Sequence, residues 1–116
     1  MTAAETTIQT ILTNNSIKWF PLVAPHDEPA PFVVYQEVSS NLNLWTLDGA
    51  EAPRSRWQIA CWAYAYTEAG TLAGTVRGLF NLNTTNFEFA KVENRFDLPD
   101  PESGLYRKIL EVYIWE

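Results

Sequence analysis

The sequence predicts an α+β fold: a mainly antiparallel sheet of about four to five strands, two helices packed on one face, in the order α-β-β-β-α-β-β. Three observations carry that expectation. From Arg54 to Tyr64 the residues alternate, with Trp57, Ile59, Cys61 and Ala63 pointing one way and Arg56, Gln58, Ala60, Trp62 and Tyr64 the other. Period two means strand. From Thr67 the pattern changes, and Ala69, Leu72, Ala73, Val76, Leu79 and Phe80 fall on one side of an amphipathic helix laid on that strand's sheet. Finally, 116 residues at 47% hydrophobic are the size of one domain, residues 1–116, and can bury a core without disulfides or metal.

The first helix starts with Thr2 as N-cap and Glu5 three positions later, a pair that satisfies two orphan backbone donors. Ile8, Ile11 and Leu12 form its buried stripe, and Asn14, Asn15 and Ser16 end it. Ile17 to Val23 makes a brief extended segment, broken by Pro21, Pro25, Pro29 and Pro31, with His26, Asp27 and Glu28 at the tip of a loop. Phe32 to Val38 is β-branched and aromatic, a strand buried on both faces. Asn41 to Pro53, with Leu44, Trp45, Leu47 and the turn pair Asp48-Gly49, reads as a loose hairpin arm.

After the central strand and helix, Asn81 to Asn86 is a polar connection. Phe87 to Phe96 alternates, placing Phe87 and Phe89 with Lys91, Glu93 and Arg95, and Ala90 and Val92 with Phe96. Asp97 to Ser103 is a turn-rich loop. The last strand, Gly104 to Trp115, sets Leu110, Val112 and Ile114 against Arg107, Ile109, Glu111, Tyr113 and Trp115.

Composition excludes several functions. A net charge of −6 with scattered basic residues argues against general or sequence-specific nucleic-acid binding, which needs clustered cations. No apolar run approaches the ~18 residues of a spanning helix, so no membrane partner is expected. The N-terminus lacks a signal peptide's basic start and apolar middle. Cys61, alone in the sequence and inside a strand, suits a small core residue better than a nucleophile and points to a reducing compartment. His26 has no nucleophile placed to act with it, no Cys or His pair has metal-ligand spacing, and no phosphate loop or dinucleotide fingerprint occurs. Asp97, Asp100 and Glu102 read as a solvated turn. Catalytic residues, cofactors and metals are therefore not expected.

Two features ask for more than a monomer's core. Arg54, Arg56, Gln58, Trp62 and Tyr64 share the strand face away from the helices, as do Arg107, Tyr113 and Trp115 on the last strand; arginines mixed with aromatics compose protein contact surfaces. The alternative is an ordinary amphipathic face with cross-strand charge pairs. Gly70, Gly74 and Gly78 make a bare stripe along the second helix, where each costs about 1 kcal/mol relative to alanine. Close approach of the first helix or of another subunit would offset that cost; drift at a tolerant surface is the other reading.

Four stretches in register resemble the tail-completion or tail-terminator proteins of tailed bacteriophages. They are Pro31-Phe32-Val33-Val34-Tyr35-Gln36; Trp45 to Gly49 followed by Arg56 to Ala63; Tyr66 to Ala69 running into Leu72-Ala73 and Val76-Arg77; and Asp97 with Asp100 to Arg107 and the ending Tyr113-Ile114-Trp115. The family often has an acidic residue where this chain has Ala60, which leaves any polar role on that strand absent or moved.

The resemblance implies a structural virion protein, not a catalyst. Such proteins form a ring, commonly a homohexamer, on the head-proximal end of the tail tube, with the tail tube protein and the head-completion or connector protein as partners, after assembly in the host cytoplasm. A ring uses head-to-tail contacts between two different patches. The face carrying Arg54, Arg56, Trp62, Arg107, Tyr113 and Trp115 is expected to supply one. The stripe Gly70, Gly74 and Gly78, or the arm with Trp45, Leu47 and Asp48, supplies the other. Acidic charge suits a ring through which DNA passes without sticking. The residues leave open a head-completion or minor tail protein, a monomeric module taking a peptide or small ligand at the arm, and a small hydrolase using carboxylates near Asp97.

Overall fold

The computed structural model describes residues 3–25, 28–41, 45–46, 49–50, 54–87, 89–98 and 104–115. The elements run α1 (Ala3–Asn14), β1 (Trp19–Pro21), β2 (Phe32–Asn41), β3 (Trp45–Thr46), β4 (Gly49–Ala50), β5 (Arg54–Ala63), α2 (Tyr66–Phe80), β6 (Phe89–Asp97) and β7 (Tyr106–Trp115). Five strands form one sheet in the order β1-β2-β5-β7-β6. All pairs are antiparallel except β1 with β2. The fold is the expected α+β class, with that one parallel pair added.

Both helices lie on the same sheet face. Ile8, Ile11 and Leu12 of α1 and Ala73, Val76 and Phe80 of α2 join Val33, Tyr35, Trp57, Ile59, Cys61, Leu110, Val112 and Ile114 in one cluster. The alternation read in β5 is what makes this possible, since Ser55, Trp57, Ile59, Cys61 and Ala63 are all buried there. Each large apolar side chain so buried contributes roughly 1.5–3 kcal/mol. Helix α1 is also pinned by chemistry: the Tyr35 hydroxyl donates to Glu5 Oε2 at 3.0 Å and accepts from Gln9 Nε2 at 2.5 Å. Burial and the nearby Glu5 carboxylate push the Tyr35 phenol above its ordinary value. Thr2, the expected N-cap, lies outside the described residues.

At the end of α2, Asn81 Oδ1 accepts from the Val92 backbone N–H at 3.0 Å, tying the helix terminus to β6. Asn83 Oδ1 then accepts from the N–H groups of Thr85 and Asn86, each at 2.9 Å, and closes the polar connection.

Three local expectations need correction. The first concerns β6, which starts at Phe89, while Phe87 precedes it and stacks on Phe80 in the core at 6.2 Å between ring centroids. The second is a register shift between Val92 and Asn94, an extra residue on one strand that reverses which side chains face which way. Ala90 and Val92 face the helices opposite Ile114 and Val112, but beyond the bulge Phe96 pairs with Ile109 on the other face and Arg95 with Leu110. Phe96 is thus not on the side of Ala90 and Val92, nor Arg95 on that of Phe89. Third, Gly49 pairs with Thr46 and Ala50 with Trp45 in a two-stranded sheet of their own, so Gly49 belongs to a strand of the arm and not to a turn pair with Asp48.

Both borders of the main sheet are guarded. Strand β1 is three residues long and ends in Pro21, which has no N–H to offer. Strand β6 carries the bulge and an ion pair between Lys91 Nζ and Glu93 Oε1 at 3.3 Å.

Candidate interaction surface

The face of the sheet turned away from the helices is organised in rows, each set by strand register. Phe32, Trp62 and Arg107 form the first row, Val34, Ala60, Ile109 and Phe96 the second, and Gln36, Gln58, Glu111 and Asn94 the third. Arg56, Tyr113 and Lys91 follow, then Arg54, Trp115 and Phe89. Five of the residues singled out in the sequence, Arg56, Trp62, Arg107, Tyr113 and Trp115, therefore present side chains from one surface. Arg54 lies on the same strand opposite Trp115, with only its backbone described.

The arginines on this face are engaged by their own chain. Arg56 pairs with Glu111, its Nε donating to Oε2 at 3.0 Å. Those hydrogen bonds hold the guanidinium above its ordinary pKa. Arg107 sits over the Trp62 ring at 4.6 Å and donates from Nε to the Leu98 carbonyl at 3.1 Å. Such a cation over an indole contributes ~0.5–1 kcal/mol where exposed. The expected surface thus carries cross-strand charge pairing as well as the arginine and aromatic composition of a contact patch.

At one end, aromatic rings gather: Phe89 lies 5.4 Å and Tyr113 6.2 Å from Trp115. At the opposite end the surface is hollowed into a groove of about 310 Å³. Phe32, Val34, Ala60, Trp62 and Ile109 make its floor, and Arg107 closes one side. Phe32 stacks on Trp62 at 5.8 Å and meets Phe20 edge-on at 6.0 Å. The rim comes from loops, with Leu22 and Val23 beyond β1 and Leu98 beyond β6, all exposed. Leu22 is held in the left-handed region, at a φ of 63°, by its N–H bond to the Tyr35 carbonyl at 2.9 Å. The Trp62 indole N–H is buried and meets no acceptor among the described residues.

The glycine stripe is largely bare. A Cβ at Gly74 or Gly78 would meet nothing within 4 Å, so α1 is not the neighbour that offsets their cost. At Gly70 a Cβ would sit 3.4 Å from Lys108 Cε. Thr71 and Thr75 turn their hydroxyls onto the carbonyls of Thr67 and Thr71, at 3.0 and 3.1 Å, which leaves this helix face in low relief. For the arm, Trp45 lies in β3 with only its backbone described, and Leu47 and Asp48 lie outside the described residues, as do His26, Asp100 and Glu102.

Sequence reasoning missed one polar cluster on the helix face. Lys108 Nζ reaches Asp97 Oδ1 at 2.5 Å and the Tyr66 hydroxyl at 3.1 Å, while that hydroxyl donates to Asp97 Oδ2 at 2.7 Å. Hydrogen bonds from Lys108 and Tyr66 lower the Asp97 carboxyl, and the same contacts raise Lys108. The cluster clamps the start of α2 to β6 and β7. Cys61 is buried, its thiol pushed up to about 12 by desolvation, as expected of a core residue. Among the described residues no group of His, Cys, Asp or Glu could hold a metal, and no helix is long and apolar enough to cross a membrane.

Comparison with known proteins agrees with the motifs. No curated protein matches the chain. The family described as "Tail completion protein gp17" matches residues 6–116, which includes every strand of the main sheet, α2 and the arm. The chain belongs to this family of phage tail completion proteins.

Proposed function

We propose that the chain is a structural part of the virion, without catalysis of its own, that assembles into a six-membered ring on the head-proximal end of the tail tube. There it ends tube growth and offers a surface to the head connector. The observation that carries this reading is the surface opposite the helices, where Arg56, Trp62, Arg107, Tyr113 and Trp115 stand together beside an apolar groove. The apolar side chains exposed there are those of the rim, Leu22, Val23 and Leu98, and grouped exposed apolar surface marks interaction sites. A closed ring needs two unlike patches on each copy. That sheet surface, with Arg54 at its end, supplies one, and the second lies on the arm around Trp45, Leu47 and Asp48 or on the bare α2 stripe of Gly70, Gly74 and Gly78.

The test is the mass of the purified chain across a range of concentration, by light scattering after size exclusion, with and without isolated tail tubes. A species near six subunits, or capture on the ends of tubes, is the expected result. A chain that stays monomeric and does not bind tubes refutes the ring. The groove also favours a second reading, a monomeric module that takes a small ligand, because its volume reaches the ~300 Å³ floor of ligand pockets.

A further inference from the structure

The groove and the arm lie at opposite ends of the same two strands. The arm leaves the sheet where Asn41 pairs with Arg54, and the groove floor begins at Val34 opposite Ala60 and continues to Phe32 opposite Trp62. At about 3.3 Å per residue along β5, the six residues from Arg54 to Ala60 span ~20 Å and the eight to Trp62 span ~26 Å. Trp45 follows Asn41 by only four residues, so its backbone reaches at most ~14 Å back along its own sheet. A chain cannot seat its own Trp45 over Phe32 and Trp62. A second copy has no such restriction.

Chemistry fits the two to each other. The groove is apolar with a cation at its side, Arg107, and a buried indole donor, Trp62 Nε1, that meets no acceptor among the described residues. Between Asn41 and Pro53 the sequence has no basic residue; it supplies Leu42, Leu44, Trp45 and Leu47, together with two acids, Asp48 and Glu51. The aromatic ring of the arm suits an apolar pocket and its acids suit Arg107. Leu22, kept at positive φ on the rim, is the kind of constrained residue found where a binding surface is shaped in advance.

We infer that the groove floored by Phe32, Val34, Ala60, Trp62 and Ile109 is the dock for the β3–β4 arm of a second copy of this chain, with Trp45 as the anchor and Asp48 facing Arg107. This rests on the ring reading and makes its contact specific: arm of one subunit into groove of the next, a head-to-tail arrangement that repeats around the ring.

Single cysteines test it. Leu47→Cys places a thiol on the arm and Leu98→Cys places one on the exposed rim, while Cys61 stays buried and does not compete. An equimolar mixture of the two variants, mildly oxidised, is expected to give a mixed disulfide of twice the monomer mass, and the double variant a ladder of linked copies. Ala60→Trp, which fills the floor, is expected to cut the mixed disulfide at least tenfold while circular dichroism stays that of the parent. A double variant that links only within one chain overturns the inference, as does assembly by light scattering without the mixed disulfide. In that last case the ring reading survives. A chain that neither links nor assembles, with or without tail tubes, removes both.

Discussion

Replacing Gly74 and Gly78 together by alanine isolates what the bare stripe on α2 costs the free chain. Glycine inside a helix is about 1 kcal/mol less favourable than alanine, because it has more backbone freedom to lose and buries nothing. A Cβ at either position meets nothing within 4 Å, so no steric term opposes the gain. Gly74 is mid-helix and should return close to the full amount, whereas Gly78, in the last turn, should return less. The sum is ~1–2 kcal/mol. With a urea slope of roughly 1–3 kcal/mol per molar for a domain of this size, the unfolding midpoint should rise by about 0.3–2 M. Gly70→Ala is the internal control. Its Cβ would rest in ordinary contact with Lys108 Cε at 3.4 Å, so a glycine already covered within the single chain should return the propensity gain as well. The measurement is urea unfolding followed by circular dichroism, at a concentration low enough that the chain is monomeric. A double variant no more stable than the parent refutes the statement that nothing covers the stripe in the single chain. Reduced assembly in the stabilised variant would mark the stripe as a subunit contact, and undiminished assembly would leave the arm as the second patch.

Three further outcomes follow from the core and the polar clamp. Phe80→Ala should cost ~3–5 kcal/mol by urea unfolding, because the ring is fully buried and stacks on Phe87; a loss below ~1 kcal/mol would contradict that packing. The Cys61 thiol, buried and pushed up to about 12, should react with an alkylating reagent at pH 8 on the order of a thousandfold more slowly in the folded chain than in urea, and equal rates would show an accessible strand face. Asp97 titrates below its ordinary 3.8 in the folded chain, so the stability it contributes is complete above that value and is lost as pH falls through the folded pKa. Asp97→Asn should therefore lower the urea midpoint at neutral pH, with the gap to the parent closing below pH 3.8; a gap that persists in acid would refute the assignment.

What the sequence makes legible is whatever depends on a local period. The β5 alternation from Arg56 to Ala63 assigns each side chain to the correct face, and the α2 pattern finds the helix and its buried Ala69, Ala73, Val76 and Phe80. The bulge at Glu93 is not legible in this way. Lys91-Val92-Glu93-Asn94-Arg95-Phe96 alternates acceptably in either phase, and only pairing with β7 decides where the phase slips. Lys108 did carry a signal: it falls between Tyr106 and Leu110 on the helix-facing side of its strand, where a cation needs an anion close by. Naming that anion requires the β6–β7 register, which sets Asp97 opposite Lys108. The groove is harder still, since its floor comes from β2, β5 and β7 and its rim from two loops that a sequence joins only through the fold. Pro21 showed that β1 must stop, but not that the chain would then hook Leu22 and Val23 over the sheet.

A subunit awaiting its place in a larger particle must tolerate crowding with its own kind, and here the sheet's borders matter. An outermost strand with free N–H and C=O groups can recruit a stranger's strand, and two such borders on one molecule would let copies zip into endless ribbons. On β6, kinked at Glu93 and flanked by Lys91 and Glu93, a flat newcomer finds its hydrogen-bond spacing broken after a few residues. Three-residue β1, closed by Pro21, gives it still less to hold. Accretion through backbone pairing is thereby disfavoured at both borders, which leaves side-chain recognition, with its finite and directional geometry, as the way another protein can meet this sheet.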